Sequence, residues 1–282
     1  MDKNWLLVLT FFVAVIIEIG LPVGLAFLVI RKYKVAWIVV LTGVLTFIAS
    51  QVVHIPLLQI LPLLYKAGKI SVLPQQWPIW LYAFYVGILA GLCEETARLI
   101  GFKILKNKAK DFTASLALGI GHGGVESVFV GFIVLAGLLS ALFYNPQTLI
   151  ARGVAQDTIN AVQVQMQQYW ATPWHLPFAG AVERITAISS HLLMSILVWK
   201  TVARGKAWGY PAAVLYHTIL DGSTVWLGKL GLSAWGLEGL LSIFLVFNVL
   251  LIWRFIVKEK ASANIDLQNK NDPGESAPVI SA

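Results

Sequence analysis

Seven apolar stretches, each long enough to cross a bilayer as a helix, constrain this chain more than any other feature: about 5–30, 36–64, 78–102, 112–143, 178–199, 208–228 and 235–257. A hydrocarbon core roughly 30 Å thick takes about 20 apolar residues of helix. The second and fourth stretches exceed that length and have room to tilt, kink or project. The expected fold is therefore an all-α polytopic membrane protein with about seven transmembrane helices. Composition agrees, with 58% apolar residues, 12% charged residues and a mean hydropathy of +0.76, far from the balance of a soluble domain. The first stretch is too long for a secretory signal, contains Glu18 and is followed by no small-residue cleavage pattern, so it is expected to stay in the mature protein. Residues 1–258 read as one transmembrane helical domain enclosing a buried polar site. The polar, Asn-, Ser- and Pro-containing residues 259–282 read as a disordered cytoplasmic tail.

Charge gives an orientation. The loops near 31–34, 103–110 and 200–206, with the tail from Arg254, hold fourteen lysines and arginines, against five on the alternate side. The positive-inside bias then places the N-terminus outside and the C-terminus in the cytoplasm, in a multi-pass protein of a cell membrane of bacterial plasma-membrane type. The basic character reports topology and anionic lipid headgroups, so membrane lipids are expected partners and nucleic acid is not. Tryptophans 5, 37, 77, 80, 199, 208, 235 and 253 fall near span ends, where an amphipathic indole prefers to sit. In the long loop 144–177, Val154, Val162, Met166 and Trp170 recur at helical spacing and predict a helix lying on the membrane surface. The single Cys93 excludes an intrachain disulfide.

Within this apolar frame sit Glu18, His54, Glu94, Glu95, Arg98, His122, Glu126, Glu183, Arg184, His191, His217 and Asp221. Each ionisable group costs about 2.5–3.5 kcal/mol near the middle of a span, so each demands a partner or a wet cavity. A single buried His or Glu is often no more than an interhelical hydrogen bond, but a dozen is unusual. At a rise of ~1.5 Å per residue, Glu94 and His191 lie about 13 Å, and His122 and His217 about 16 Å, from the lysine-rich ends of their helices. One carboxylate and three imidazoles thus share a level. Arg98 stands i+4 from Glu94 and i+3 from Glu95, within reach of either. Glu126 is i+4 from His122 and Asp221 i+4 from His217, a spacing at which a carboxylate can fix an imidazole tautomer. The glycines of GILAG (87–91) and GIGHGG (119–124) allow either close helix approach or local unwinding beside a cavity. A glutamate that acts as base on water, with imidazoles that ligate a divalent metal or hydrogen-bond an oxyanion, is a constellation for amide hydrolysis.

The ordered motifs EETAR (94–98), HGGVE (122–126), ERITAISSH (183–191) and HTILD (217–221) resemble those of the YhfC-type intramembrane metalloproteases, a family allied to PrsW and the wider CAAX-protease and bacteriocin-processing superfamily. The resemblance covers about residues 50–225. It implies Glu94 as catalytic carboxylate beside Glu95, with Arg98 as the following basic residue at the short spacing of PrsW. It also implies Glu126 as the acidic position of the second motif, with His122 as an extra polar group, then His191 preceded by Arg184, and His217 with Asp221. On this basis Glu94, Glu95, His191 and His217 are the candidate catalytic residues, and Arg98, His122, Glu126, Arg184 and Asp221 support them. The expected substrate is a membrane-embedded peptide or protein. Zn2+ is a candidate cofactor on His122, His191 and His217, although the chain lacks an HExxH pair on one helix. Other readings use the same groups: a proton-coupled or metal-ion transporter, or a noncatalytic immunity or scaffold protein. A retinal receptor is disfavoured because the last span has no lysine for a Schiff base. A Cys93–His nucleophile pair is disfavoured because Cys93 points about 100° away from Glu94 around the helix.

Overall fold

A computed structural model describes the backbone of residues 3–271 and the side chains as far as residue 262. All regular structure among the described residues is helical: α1 (Trp5–Val15), α2 (Leu21–Tyr33), α3 (Trp37–Lys66), α4 (Ile79–Leu105), α5 (Phe112–Phe143), α6 (Pro146–Ala151), α7 (Gln156–Trp170), α8 (Pro177–Arg204), α9 (Gly209–Lys229) and α10 (Ala234–Asn271), with short 3-10 turns between some of them. A π-helical turn, Ile16–Gly20, joins α1 to α2 into one rod. Its cause is local. Pro22 lacks the N–H that would bond the Glu18 carbonyl one turn earlier, and the freed oxygen accepts instead from the Ser127 hydroxyl of α5 at 2.7 Å.

Five helices are long and apolar enough to cross a membrane: the α1–α2 rod, α3, α5, α8 and α10. The expected seven include α4 and α9, which are more polar because they carry Glu94, Glu95 and Arg98 and, in α9, His217 and Asp221. Those two helices pack chiefly against each other, with α3, α5 and α8 completing the bundle around them. The lysine-rich ends gather at one pole, where Arg204 and Lys200 of α8 reach Glu259 of α10 at 2.7 and 3.6 Å. At the opposite pole the Trp235 indole donates to His175 Nδ1 at 2.9 Å.

Backbone contact, rather than unwinding, is the role of the α5 glycines. A Cβ on Gly121 would lie 2.1 Å from the Val40 carbonyl oxygen of α3, and one on Gly123 would lie 2.7 Å from the His191 ring of α8. Helix α5 stays α-helical throughout and brings His122 between its neighbours.

Several expectations change. Trp199, near the end of α8, turns inward rather than toward lipid headgroups: it is fully buried and donates to the Ala109 carbonyl at 2.8 Å. The helix expected in the 144–177 loop is α7, whose Met166 and Trp170 pack with Leu7 of α1 and Ala141 of α5, so it is anchored on the bundle. Val154 precedes that helix. Helix α10 continues through 259–271, into the stretch expected to lack regular structure, and residues 272–282 of that tail lie outside the described residues.

Candidate functional site

Four helices deliver the polar side chains to one buried level. Glu94 Oε2 of α4 stands 3.1 Å from His122 Nε2 of α5 and 3.8 Å from His217 Nε2 of α9. The His191 ring of α8 lies 5.2 Å from the His122 ring and 5.7 Å from the His217 ring, centre to centre. Glu94, Glu95, Arg98, His122, His191 and His217 are all buried.

The hydrogen bonds fix each imidazole. The Thr46 hydroxyl donates to the Gly43 carbonyl at 2.7 Å, so it can only accept from His122 Nδ1–H, 3.0 Å away. The neutral His122 ring then turns a bare Nε2 lone pair toward Glu94. His217 Nδ1–H donates to Glu95 Oε1 at 2.8 Å, and its Nε2 faces two carboxylates, Glu94 Oε2 at 3.8 Å and Asp221 Oδ2 at 3.5 Å. His191 is the reverse. Arginine only donates, so Arg98 Nη2 at 3.0 Å makes His191 Nδ1 an acceptor and puts the ring proton on Nε2, which donates to Glu126 Oε2 at 2.7 Å. Arg98 also donates from Nη1 to the His191 carbonyl and the Ser195 hydroxyl, at 2.7 and 2.6 Å, and its Nε pairs with Glu95 Oε2 at 3.1 Å.

Helical spacing anticipates some of these partners, Asp221 beside His217 among them, and misses others. Arg98 takes Glu95 and leaves Glu94 without a guanidinium partner, and Glu126 serves His191 across helices rather than His122 along its own. Arg184 forks between Glu183 and Glu126, with Nη1 2.8 Å from Glu126 Oε1. Glu94 Oε1 accepts from Gln51 Nε2 of α3 at 3.0 Å. Cys93 faces away, along the outer side of α3 and α4. His54 is buried with neither ring nitrogen hydrogen-bonded among the described residues. Thr46, Gln51 and Ser195 were not among the sequence candidates. A cavity of about 250 Å3 opens on Glu94, Glu126, His191, His217 and Asp221, which is room for several waters beside the carboxylate.

A family-wide sequence profile described as YhfC intramembrane metalloprotease matches residues 17–242, a range that holds every residue of this site. The chain belongs to the YhfC family. It is similar to the uncharacterized membrane protein YhfC of Bacillus subtilis (strain 168), with 28% identity over 210 residues that cover 71% of this chain and 77% of that protein. No solved structure matches it. Together with its apolar helices, this makes the chain a multi-pass membrane protein.

The family name implies a metal, and the donor set fits one. Ligand atoms of Glu94, His122 and His191 all lie within 4.8 Å of one another. Carboxylate oxygen and imidazole nitrogen are both zinc donors. The sequence expectation of three histidines thus becomes a group containing Glu94. Within that group His122 is oriented to bind, because its Nδ1–H is held by Thr46 and its Nε2 points at Glu94 Oε2, the other ligand atom, 3.1 Å away. His191 has both nitrogens engaged by Arg98 and Glu126, whereas His217 turns its Nε2 toward Glu94 behind a Glu95-bound Nδ1–H.

Proposed function

We propose that this protein is an intramembrane peptidase in which Glu94 is the general base on water. The observation that carries this reading is the Glu94–His122 edge. Glu94 Oε2 and His122 Nε2 face each other 3.1 Å apart in a buried place, and with His122 Nδ1–H given to Thr46 both of these atoms are acceptors. Such an edge is stable only with a cation between them, and the one it has room for is a proton or a metal ion. Charge points the same way. Five carboxylates, Glu94, Glu95, Glu126, Glu183 and Asp221, are matched by two guanidinium groups, Arg98 and Arg184, and Arg98 is turned away from Glu94.

In the reaction, Glu94 takes the proton from a water in the adjoining cavity as the water oxygen adds to the peptide carbonyl carbon. The proton is shared along the edge with His122 and passes to the nitrogen that leaves when the C–N bond breaks. Gln51 holds Glu94 through its other oxygen, and Thr46 holds His122 in the accepting tautomer. Glu95, held by Arg98, fixes His217 beside Glu94 with its Nε2 toward the cavity. In a zinc-loaded form Glu94, His122 and one further histidine would hold the ion, which would itself supply Lewis-acid activation of the water, and Glu94 would then act as a ligand rather than as the base.

The test is cleavage of a membrane-spanning peptide by purified protein. Wild type should cut and Glu94→Gln, which keeps the size of the side chain but cannot take the proton, should not, while both should elute and melt as folded protein. Equal rates for the two would refute the assignment. Ion flux in vesicles with no cleavage by either would move the same residues to a transport role.

A further inference from the structure

A second and larger recess, about 950 Å3, runs along the outer seam of α3 and α4, apart from the cavity beside Glu94. Its walls are mostly apolar, with Leu45 and Val53 on α3 and Leu92, Ile100 and Ile104 on α4, and a few hydroxyls, Thr42 and Thr96 among them. Ala49 and Ala97 leave its middle open. At one end the walls stop and Lys106 and Lys108 take over. Lys106 is held in the left-handed region, with φ at 48°, which a long side chain adopts only where its surroundings impose it.

We propose that this recess is a binding site for one anionic phospholipid, with acyl chains between α3 and α4 and the phosphate on Lys106 and Lys108. Length decides between a lipid and a spanning peptide. From Lys106 to Leu92 the α4 wall measures about 21 Å, and from Ile38 to Val53 the α3 wall measures about 22 Å. Half of a hydrocarbon core is about 15 Å, so the recess matches one leaflet with its headgroup layer. A transmembrane helix needs the full ~30 Å and would hang unsupported over the remainder. Charge decides the same way. Two lysines at the mouth attract an anionic headgroup, whereas the cytoplasmic flank of a spanning peptide tends to bring lysines and arginines of its own.

The site is linked to the catalytic level through α3. Thr46, which holds His122, and Ser50, next to Gln51, both line the recess. Lipid chains lodged there press on the residues that orient the Glu94–His122 edge. The binding claim itself does not depend on the peptidase reading.

The experiment uses the full chain in an uncharged detergent, titrated with phosphatidylglycerol or phosphatidylcholine and followed by native mass spectrometry and thermal shift. One phosphatidylglycerol should be retained and should raise the melting temperature, with phosphatidylcholine bound more weakly. At about 1 kcal/mol per lysine, Lys106→Gln with Lys108→Gln should weaken phosphatidylglycerol binding by roughly thirtyfold. Ala49→Phe with Ala97→Phe should fill the recess and abolish retention, with elution and helical circular dichroism unchanged. Equal retention of the two lipids by the wild type, or undiminished phosphatidylglycerol binding by the double lysine variant, would overturn the proposal. So would capture of a spanning peptide with neither lipid retained.

Discussion

Replacing Arg98 with leucine removes the cation on which α4, α8 and the Glu95–His217 pair converge. Its side chain is fully buried, pairs with Glu95 at 3.1 Å, and donates to the His191 carbonyl, the Ser195 hydroxyl and His191 Nδ1. Without it, Glu95 keeps only the hydrogen bond from His217 and is a buried anion with no cation. Breaking one side of a buried pair costs about 3–5 kcal/mol. The hydrogen bonds to α8 add to that, but they share the same guanidinium and do not sum independently. At about 2–4 °C per kcal/mol for a chain of this size, the melting temperature should fall by about 6–20 °C. The eleven tryptophans allow the transition to be followed by intrinsic fluorescence in a single detergent. Glu95→Gln alone should also destabilise, because it strands Arg98. The double variant Glu95→Gln/Arg98→Leu should recover much of the loss, since the buried charges vanish together. A fall of less than about 2 °C for Arg98→Leu, or strict additivity in the double variant, would show that the ion pair does not anchor the site.

Three other outcomes follow from the same geometry. Thr46→Val removes the acceptor for His122 Nδ1–H, worth about 1–3 kcal/mol, so turnover should drop roughly tenfold to hundredfold with the protein still folded, and Thr46→Ser should restore it, as read in kcat. If zinc occupies the Glu94–His122 edge, elemental analysis should find close to one equivalent, His122→Ala should remove it, and His191→Ala should leave more behind than His217→Ala does. Its absence from a cleaving preparation would leave the proton as the cation on that edge. For topology, in a Cys93→Ala background, an impermeant thiol reagent on intact cells should label Asn160→Cys and spare Asn107→Cys. The reverse would invert the orientation set by the lysines.

Apolar run length was enough to reveal a helical membrane bundle, because a bilayer offers a chain few other ways to satisfy its backbone. Depth along each helix was enough to bring Glu94, His122, His191 and His217 together, because rise per residue is nearly invariant. What spacing could not supply was partner choice. In a helix, i+3 and i+4 both share a face, so Arg98 had two carboxylates within reach and the sequence held no reason to prefer Glu95. Position of the neighbouring helix made that choice: α8 presents the His191 carbonyl and Ser195 where only an Arg98 aimed past Glu95 can reach them. Glu126 likewise meets His191 because Gly123 lets α5 and α8 close on each other there. Apart from His54, the α3 contribution is not legible in composition, because Thr46, Ser50 and Gln51 carry no charge. Yet Thr46, Ser50 and His54 recur every four residues, with Gln51 beside them, a polar stripe along a helix whose other faces are apolar. In lipid such a stripe must face inward, toward groups it can bond. Its end at His54, buried with both nitrogens unpaired among the described residues, extends the polar face of α3 beyond the Glu94 level. The stripe therefore makes α3 a wall of the site, and its Thr46 and Ser50 also line the recess, so one helix couples what enters from the lipid to what is held over the glutamate.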